Sequence, residues 1–267
     1  MTTSIVVMFL AIGVIGGFIA GLLGVGGGIL FVPCLYLGFT WMGLNEKLSM
    51  EVAVGTSLAI IVVTSFSSAL GHALHGKLTG GQVLAMAILA IPASVVGAKI
   101  AVLIGGVLLK KLFGVFLLFV SYRFFRPPHP KTIDPDRLIP VPELLLVGGC
   151  SGLLSSMLGI GGGIITVSML HLWLRQPIHR AVANSSGLIV FTSIAGTISW
   201  IWEGWNTEGL PVLSYGYVNL AGWALIAFTS VIFAQVGAHL AARTRPEGLQ
   251  KPFAVILLLV GLDMLLT

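Results

Sequence analysis

Gly24-Val25-Gly26-Gly27-Gly28 interrupts an almost wholly apolar run from Ile5 to Phe39, and Gly159-Ile160-Gly161-Gly162-Gly163 interrupts a second, from Leu144 to Leu174. Each is followed by an apolar pair, Ile29-Leu30 and Ile164-Ile165. Glycine costs a helix interior about 1 kcal/mol relative to alanine, so four in five positions argue against a continuous helix through either segment. Inside a bilayer, non-helical backbone is tolerated only where protein or a water-filled cavity satisfies its polar groups, so a break at depth marks a site. Paired breaks in the two halves of a chain point to the binding site of a secondary transporter.

Composition agrees with a bilayer setting. The chain is 57% hydrophobic and only 9% charged, with a mean hydropathy of +1.05, whereas about a quarter of the residues of a soluble domain are charged. The net charge of +5 does not point to nucleic acid, because the basic residues stand singly or in pairs at the ends of apolar runs and form no aromatic-interleaved face. They read as topology signals. The two cysteines, Cys34 and Cys150, lie in apolar segments, where a thiol behaves as a small hydrophobe and no disulfide framework is expected. Met1-Thr2-Thr3-Ser4 carries no Lys or Arg, so the first apolar run reads as a membrane segment and not as a signal peptide.

The apolar runs are Ile5 to Phe39, Val52 to Leu70, Val83 to Leu109, Leu112 to Phe125, Leu144 to Leu174, Ala181 to Ile201, Val218 to Ala242 and Phe253 to Leu266. A span needs roughly 20 residues, but the first run would be roughly 50 Å long as one helix and the fifth nearly as long. Either a half-helix follows a full one after the glycines, or a single segment is unwound at its middle. Pro33 fits the first turns of a new helix after the break. Polar joints are expected at Asn45-Glu46-Lys47, Gly76-Lys77, Lys110-Lys111, Arg175-Gln176-Pro177, Glu203 to Tyr217 and Arg243 to Lys251. The stretch 126–142, with Pro127, Pro128, Pro130, Pro135 and Pro140 and several charges, is a stiff polar linker between a first transmembrane unit, 1–125, and a second, 143–267.

The repeat extends beyond the glycines. Ala53-Val54-Gly55-Thr56-Ser57 aligns with Ala181-Val182-Ala183-Asn184-Ser185, and Val63-Thr64-Ser65 with Phe191-Thr192-Ser193. Gly97-Ala98-Lys99 aligns with Gly237-Ala238-His239, and Lys111-Leu112-Phe113 with Lys251-Pro252-Phe253. The fold expected is an all-α polytopic membrane protein of two homologous four-segment repeats whose glycine-broken helices, re-entrant or unwound, meet near a pseudo-symmetry axis. If every run crosses once, Lys47, Lys110, Lys111, Arg175, Arg180, Arg243, Arg245 and Lys251 share a cytoplasmic face, and Lys77 and the basic linker lie on the other. Glu203 to Tyr217 and both termini are then outside, and an even number of crossings per half favours a parallel repeat over an inverted one.

Free amides at a break, with a helix starting just after it, form a concave set of donors at a positive dipole end, which suits an anion. The candidate substrate-binding residues are therefore Gly24, Gly26, Gly27, Gly28, Gly159, Gly161, Gly162 and Gly163, with Pro33 and the hydroxyl or amide groups of Thr56, Ser57, Asn184, Ser185 and Ser186. Against this stands close helix packing for the glycines and bonding to a helix's own carbonyls for the hydroxyls. His72 and His75 are spaced for a metal on one helical face but have no evident third ligand, and with His171 and His179 they read as interfacial. Lys99 and His239 read as snorkelling, and Asp263 as solvated near the C-terminus. No nucleophile triad, phosphate loop or carboxylate pair is present, so no enzyme, cofactor or metal is expected.

The chain resembles the TauE/SafE sulfite exporter family, also called the 4-toluene sulfonate uptake permease family. The resemblance rests on Gly21 to Gly28 with Phe31-Val32-Pro33, on Ala53 to Ser57, on Gly97-Ala98 and on the second glycine copy. It implies a duplicated helical bundle in the bacterial inner membrane that moves a small sulfur oxyanion or organosulfonate by alternating access, outward by the family's name. A proton or sodium ion for coupling, membrane lipid and a second copy of the chain are the other partners. Ser168 stands where the repeat puts proline, and Asn184 replaces the threonine of the first copy. An anion channel, or a carrier for a small carboxylate or an inorganic anion, is the alternative.

Overall fold

Glycine and proline set many of the helix boundaries. In the computed structural model, which describes residues 3–23, 28–74, 78–125, 139–241 and 246–266 (side chains apart from 20–23, 238–241 and 246–251), the order is α1 Thr3–Leu23, α2 Gly28–Trp41, α3 Glu46–Leu74, α4 Gly80–Ile104 and α5 Gly106–Phe125. There follow α6 Val141–Leu158, α7 Gly163–Ser168 running into a π-helical turn Met169–Trp173, α8 Ile178–Glu203, a hairpin of β1 Ser214–Tyr215 and β2 Val218–Asn219, α9 Leu220–Ala241 and α10 Pro246–Leu266. Among the described residues, α3, α4, α6, α8 and the Leu220–Gly237 part of α9 are long and apolar enough to cross a bilayer. Large apolar side chains such as Leu84, Ile88 and Leu103 on α4 and Phe228 on α9 are exposed, as a lipid-facing surface requires. The protein is mostly helical and multi-pass.

The overlong runs fold back on themselves. Phe9 stacks edge-on against Phe39 at 5.9 Å, while Gly16, one to two turns further along α1, faces Phe31, so α1 and α2 form an antiparallel hairpin. Leu144 and Val147 near the start of α6 share a buried cluster with Leu170 and Leu174 beyond α7, so α6 and α7 form a second. Pro33 sits in the second turn of α2, where it removes the amide that would bond to the Ile29 carbonyl, and not at the helix start.

Helix directions overturn the parallel repeat and the one-crossing-per-run topology. Leu58 of α3 lies against Gly196 of α8 and Leu78 against Gly187, so α3 and α8 run antiparallel. Leu48 lies against Gly209 and Gly55 against Tyr217, which brings the start of α3 to the loop after α8. At the opposite end, Gln82 bonds to Gln176 and the Thr79 amide to Asn184. Lys47 and Arg175 are therefore at opposite ends of the molecule, and Lys47 shares an end with Glu203–Tyr217. One span per apolar run misplaces these charges because each glycine-interrupted run returns to the end it entered from. The joint expected at Lys110-Lys111 is also absent: the break is at Gly105, with φ +79°, and both lysines lie within α5. Lys110 is buried, paired to Glu46, its ammonium 5.7 Å from the Tyr36 ring centre.

Close helix pairs use glycines outside the two motifs. Gly148 and Gly152 of α6 meet the carbonyls of Met86 and Ala90 on α4, and Gly13 and Gly17 of α1 meet those of Ile226 and Ser230 on α9. Gly13 and Gly17 stand to Gly24 as Gly148 and Gly152 stand to Gly159. This is small-residue packing that lets backbones approach where lipid offers no hydrophobic drive. Gly152→Leu puts a side chain into the Ala90 backbone and is expected to destabilise by at least roughly 1–3 kcal/mol, read as a lowered melting temperature in detergent. Wild-type melting would contradict this packing.

Candidate functional site

The second glycine motif forms a tight backbone turn. Gly159 ends α6 in the left-handed region (φ +72°), its amide donating to the Ser155 carbonyl at 2.9 Å, and Gly161 and Gly162 follow at +74° and +78° before α7 begins at Gly163. Side chains with a Cβ avoid such dihedrals, which explains the residue type at those positions. Hydroxyls take up the exposed carbonyls. Ser57 donates to Gly159 at 2.8 Å, Thr192 to Gly161 at 3.3 Å and Ser185 to Gly163 at 3.3 Å. Thr166 Oγ1 lies 2.9 Å from both the Gly162 carbonyl and Ser151 Oγ. Among the described residues no side chain caps the start of α7, and the first amides of a helix have no acceptor within it. Four of the turn's five carbonyls, those of Gly159, Gly161, Gly162 and Gly163, thus meet a hydroxyl, while the first amides of α7 have no acceptor within the helix.

Gly28 brings the first motif to the same place. It opens α2, is buried, and a Cβ built on it would lie 2.7 Å from the Ile160 Cα and 2.7 Å from Ile61 Cδ1. The start of α2 thus abuts the turn that precedes α7, with Ile61 of α3 and Ile189 of α8 beside Gly161. Two positive helix ends converge on one small volume. Gly24, Gly26 and Gly27 lie outside the described residues.

The other expected site residues separate into two groups. Ser57 and Ser185 are at the turn, bonded to its carbonyls. Thr56 and Asn184 are not: Thr56 Oγ1 accepts the Asn219 amide at 3.0 Å and Asn184 Oδ1 accepts the Thr79 amide at 2.8 Å. Asn219 and Thr79 immediately precede α9 and α4, so the two aligned residues perform the same task, anchoring a helix entry. Asn184 also donates to Gln82 Oε1 at 2.8 Å. Ser186 bonds the Ala183 carbonyl of its own helix at 2.7 Å. Pro33 faces away from the turn and lines a cleft of about 310 Å³ between α2 and α10, with Tyr36, Leu37, Leu259, Val260, Asp263 and Met264. His75 and the side chain of His239 lie outside the described residues.

Sequence reasoning missed several polar groups at the turn. Thr166 and Ser151 carried no signal beyond being hydroxyls in an apolar run. Thr192 lay within an aligned segment, and its buried placement singles it out only in three dimensions. Ser155 and Ser156, a pair just before the glycines, are buried with hydroxyls that find no partner among the described residues, and Ser155 Cβ would lie 3.1 Å from a Cβ on Gly162. Buried hydroxyls without partners are uncommon in folded proteins.

The family described as sulfite exporter TauE/SafE matches residues 9–264. The chain is 32% identical over 260 residues to a probable membrane transporter protein of Methanocaldococcus jannaschii, covering 97% of this chain and 95% of that protein. It is 30% identical over 268 residues to a probable membrane transporter protein of Haemophilus influenzae, at 98% and 99% coverage. A probable membrane transporter protein of Bacillus subtilis, YunE, is 26% identical over 277 residues, covering 97% of each chain.

Proposed function

The chain belongs to the TauE/SafE sulfite exporter family and is a membrane transporter, not an enzyme, and on that premise we propose that it is a secondary carrier whose passenger is a small sulfur oxyanion or organosulfonate. The observation that carries the reading is the meeting of Gly28 with Ile160, where two helix starts converge and the neighbouring carbonyls are occupied by hydroxyls. Helix-start amides bind oxyanions through aligned donors and dipoles, and glycines let the anion reach the backbone. Gly28, Gly161, Gly162 and Gly163 supply that cradle, with Gly24, Gly26 and Gly27 expected to complete it, while Ser57 and Ser185 fix its shape and Ser155 reaches in.

The duplicated arrangement is part of the proposal. α1 pairs with α9 as α6 pairs with α4, and α3 and α5 pair antiparallel with α8 and α10. That pattern supports two units, 1–125 and 143–267, related by a two-fold axis across the helices, an inverted repeat of the kind that gives alternating access. The helix ends opposite the β-hairpin carry Arg123, Arg175 and Arg180 and are the ends joined by the sequence stretches that contain Lys77, Arg126, Lys131, Arg137, Arg243 and Arg245, whereas Lys47, Lys99, Lys110 and Lys111 are at the hairpin end. The positive-inside rule makes the first end cytoplasmic, in a bacterial inner membrane, with both termini outside. Outward movement of the anion is adopted from the family's name. The direct contact between the start of α2 and the turn before α7 favours a carrier over a channel.

Purified protein is expected to melt at higher temperature with sulfite, thiosulfate, sulfoacetate or isethionate. A ligand at about 100 times its Kd adds about 2.7 kcal/mol. Proteoliposomes loaded with the stabilising anion should show saturable counter-exchange. No shift with any sulfur anion but a shift with a small carboxylate would overturn the substrate class, and flux without exchange would overturn the carrier.

A further inference from the structure

A buried carboxyl lies away from the glycine turn, beside the hairpin. Glu51 is the sixth residue of α3, has no exposed surface, and neither carboxylate oxygen has a hydrogen-bond partner among the described residues. The nearest polar groups are the Tyr217 hydroxyl from the hairpin and the Gly106 amide that opens α5, within electrostatic reach but short of hydrogen-bond geometry, and Lys47 on its own helix. Lys47 is exposed to solvent, and the buried lysine of α5, Lys110, is committed to Glu46 and Tyr36. From α8, the charge of Glu203 acts on Tyr217. An ionised carboxylate sealed from water without a hydrogen bond costs several kcal/mol, and acidic groups of this kind within membrane helices commonly lie on ion or proton pathways.

What seals Glu51 is a segment that is docked and not covalently constrained. Gly55, one turn along α3, admits the Tyr217 backbone, and a Cβ there would lie 2.5 Å from its carbonyl oxygen. The Tyr217 amide donates to the Trp200 carbonyl at 3.3 Å, and Thr56 holds the Asn219 amide at 3.0 Å. The same two turns of α3 carry Val54, 3.0 Å from a Cβ on Gly159, and Ser57, bonded to Gly159. One rigid helix therefore links the carboxyl, its cover and the glycine turn.

We infer that Glu51 is a proton-binding site of the transport cycle, occupied in this arrangement and opened to the hairpin end when the Gly216–Asn219 segment lifts. On lifting, the carboxyl O–H bond breaks, the proton passes to entering water, and the electron pair stays on Glu51 as a carboxylate facing the Tyr217 hydroxyl and the Gly106 amide. The inference deepens the carrier reading by naming the coupling ion as a proton, and rests on it.

Infrared difference spectroscopy of the full-length protein reads the proton without needing a substrate. Wild-type protein at neutral pH is expected to show a protonated-carboxyl C=O band that disappears in Glu51→Gln and shifts in Glu51→Asp, the second variant serving if the first does not fold. Its deuterium exchange should quicken at least tenfold in Thr56→Val, which releases the hairpin. A wild-type spectrum without the band, a band unchanged in both variants, or exchange unaltered in Thr56→Val overturns the inference. In sulfite-loaded proteoliposomes, a pH gradient should accelerate wild-type flux, while Glu51→Gln keeps sulfite counter-exchange but loses the response to the gradient. An undiminished response in Glu51→Gln overturns the inference. An intact band with no sulfite flux in any protein counts against the sulfite reading alone and leaves the proton site standing.

Discussion

Gly162→Val is expected to abolish anion flux, to below about one-hundredth of wild type, in a protein that still folds and inserts. Gly162 sits at φ +78°, where any Cβ costs roughly 1–2 kcal/mol and a β-branched one more. That Cβ would also lie 3.0 Å from the Ser151 carbonyl oxygen, so relief requires the backbone to rotate out of the left-handed region. Rotation turns the first amides of α7 away from the cradle. Charge-assisted hydrogen bonds are worth roughly 1.5–3 kcal/mol each, so losing two weakens binding by a factor on the order of a hundred or more. Uptake into proteoliposomes, with thermal melting on the same preparation, separates loss of the site from loss of the fold. Near-wild-type uptake would mean that the turn does not bind the anion.

Gly28→Ala probes the same site from the other hairpin, and its energetics differ. Gly28 is at the start of a helix with an ordinary dihedral, so alanine is favoured there by up to about 1 kcal/mol and brings no backbone strain. The opposition is steric. Ile61 Cδ1 can swing aside, but the Ile160 backbone, 2.7 Å from the new Cβ, cannot move without displacing the turn. Overpacking against that backbone outweighs the propensity gain, so stability is expected to fall by roughly 1–3 kcal/mol, while flux falls roughly ten- to a hundredfold, since a loss of about 1.4–2.8 kcal/mol in binding has that effect. A stable Gly28→Ala protein with unchanged kinetics would show that the contact with Ile160 has no part in transport.

The glycines were legible because their chemistry is local: four in five positions cannot continue a helix, whatever surrounds them. Chain direction was not. A long apolar run looks the same whether it crosses the bilayer or turns back within it, and the two are distinguished by Phe9 against Phe39, Gly16 against Phe31 and the cluster that Leu144 and Val147 share with Leu170. Lys110-Lys111 misled for a related reason. Adjacent lysines resemble a loop, but Glu46 from α3 neutralises Lys110 inside the helix, and the chain turns instead at Gly105. The repeat alignment equated Thr56 with Asn184 at the level of residues, yet their shared task needed partners more than 100 positions away, the amides of Asn219 and Thr79. Glu51 drew no notice in the sequence, where it reads as one more polar residue at the end of an apolar run. Only its burial without a partner sets it apart.

The most direct measurement is the location of the passenger. In crystals grown with sulfite, or with selenite for its anomalous signal, the account predicts one anion between the start of α2 at Gly28 and the start of α7 at Gly163, within hydrogen-bond reach of the turn amides, with Ile160 moved off Gly28 to admit it. An anion in the cleft beside Pro33 and Asp263, with Gly28 and Ile160 still in contact, would contradict it.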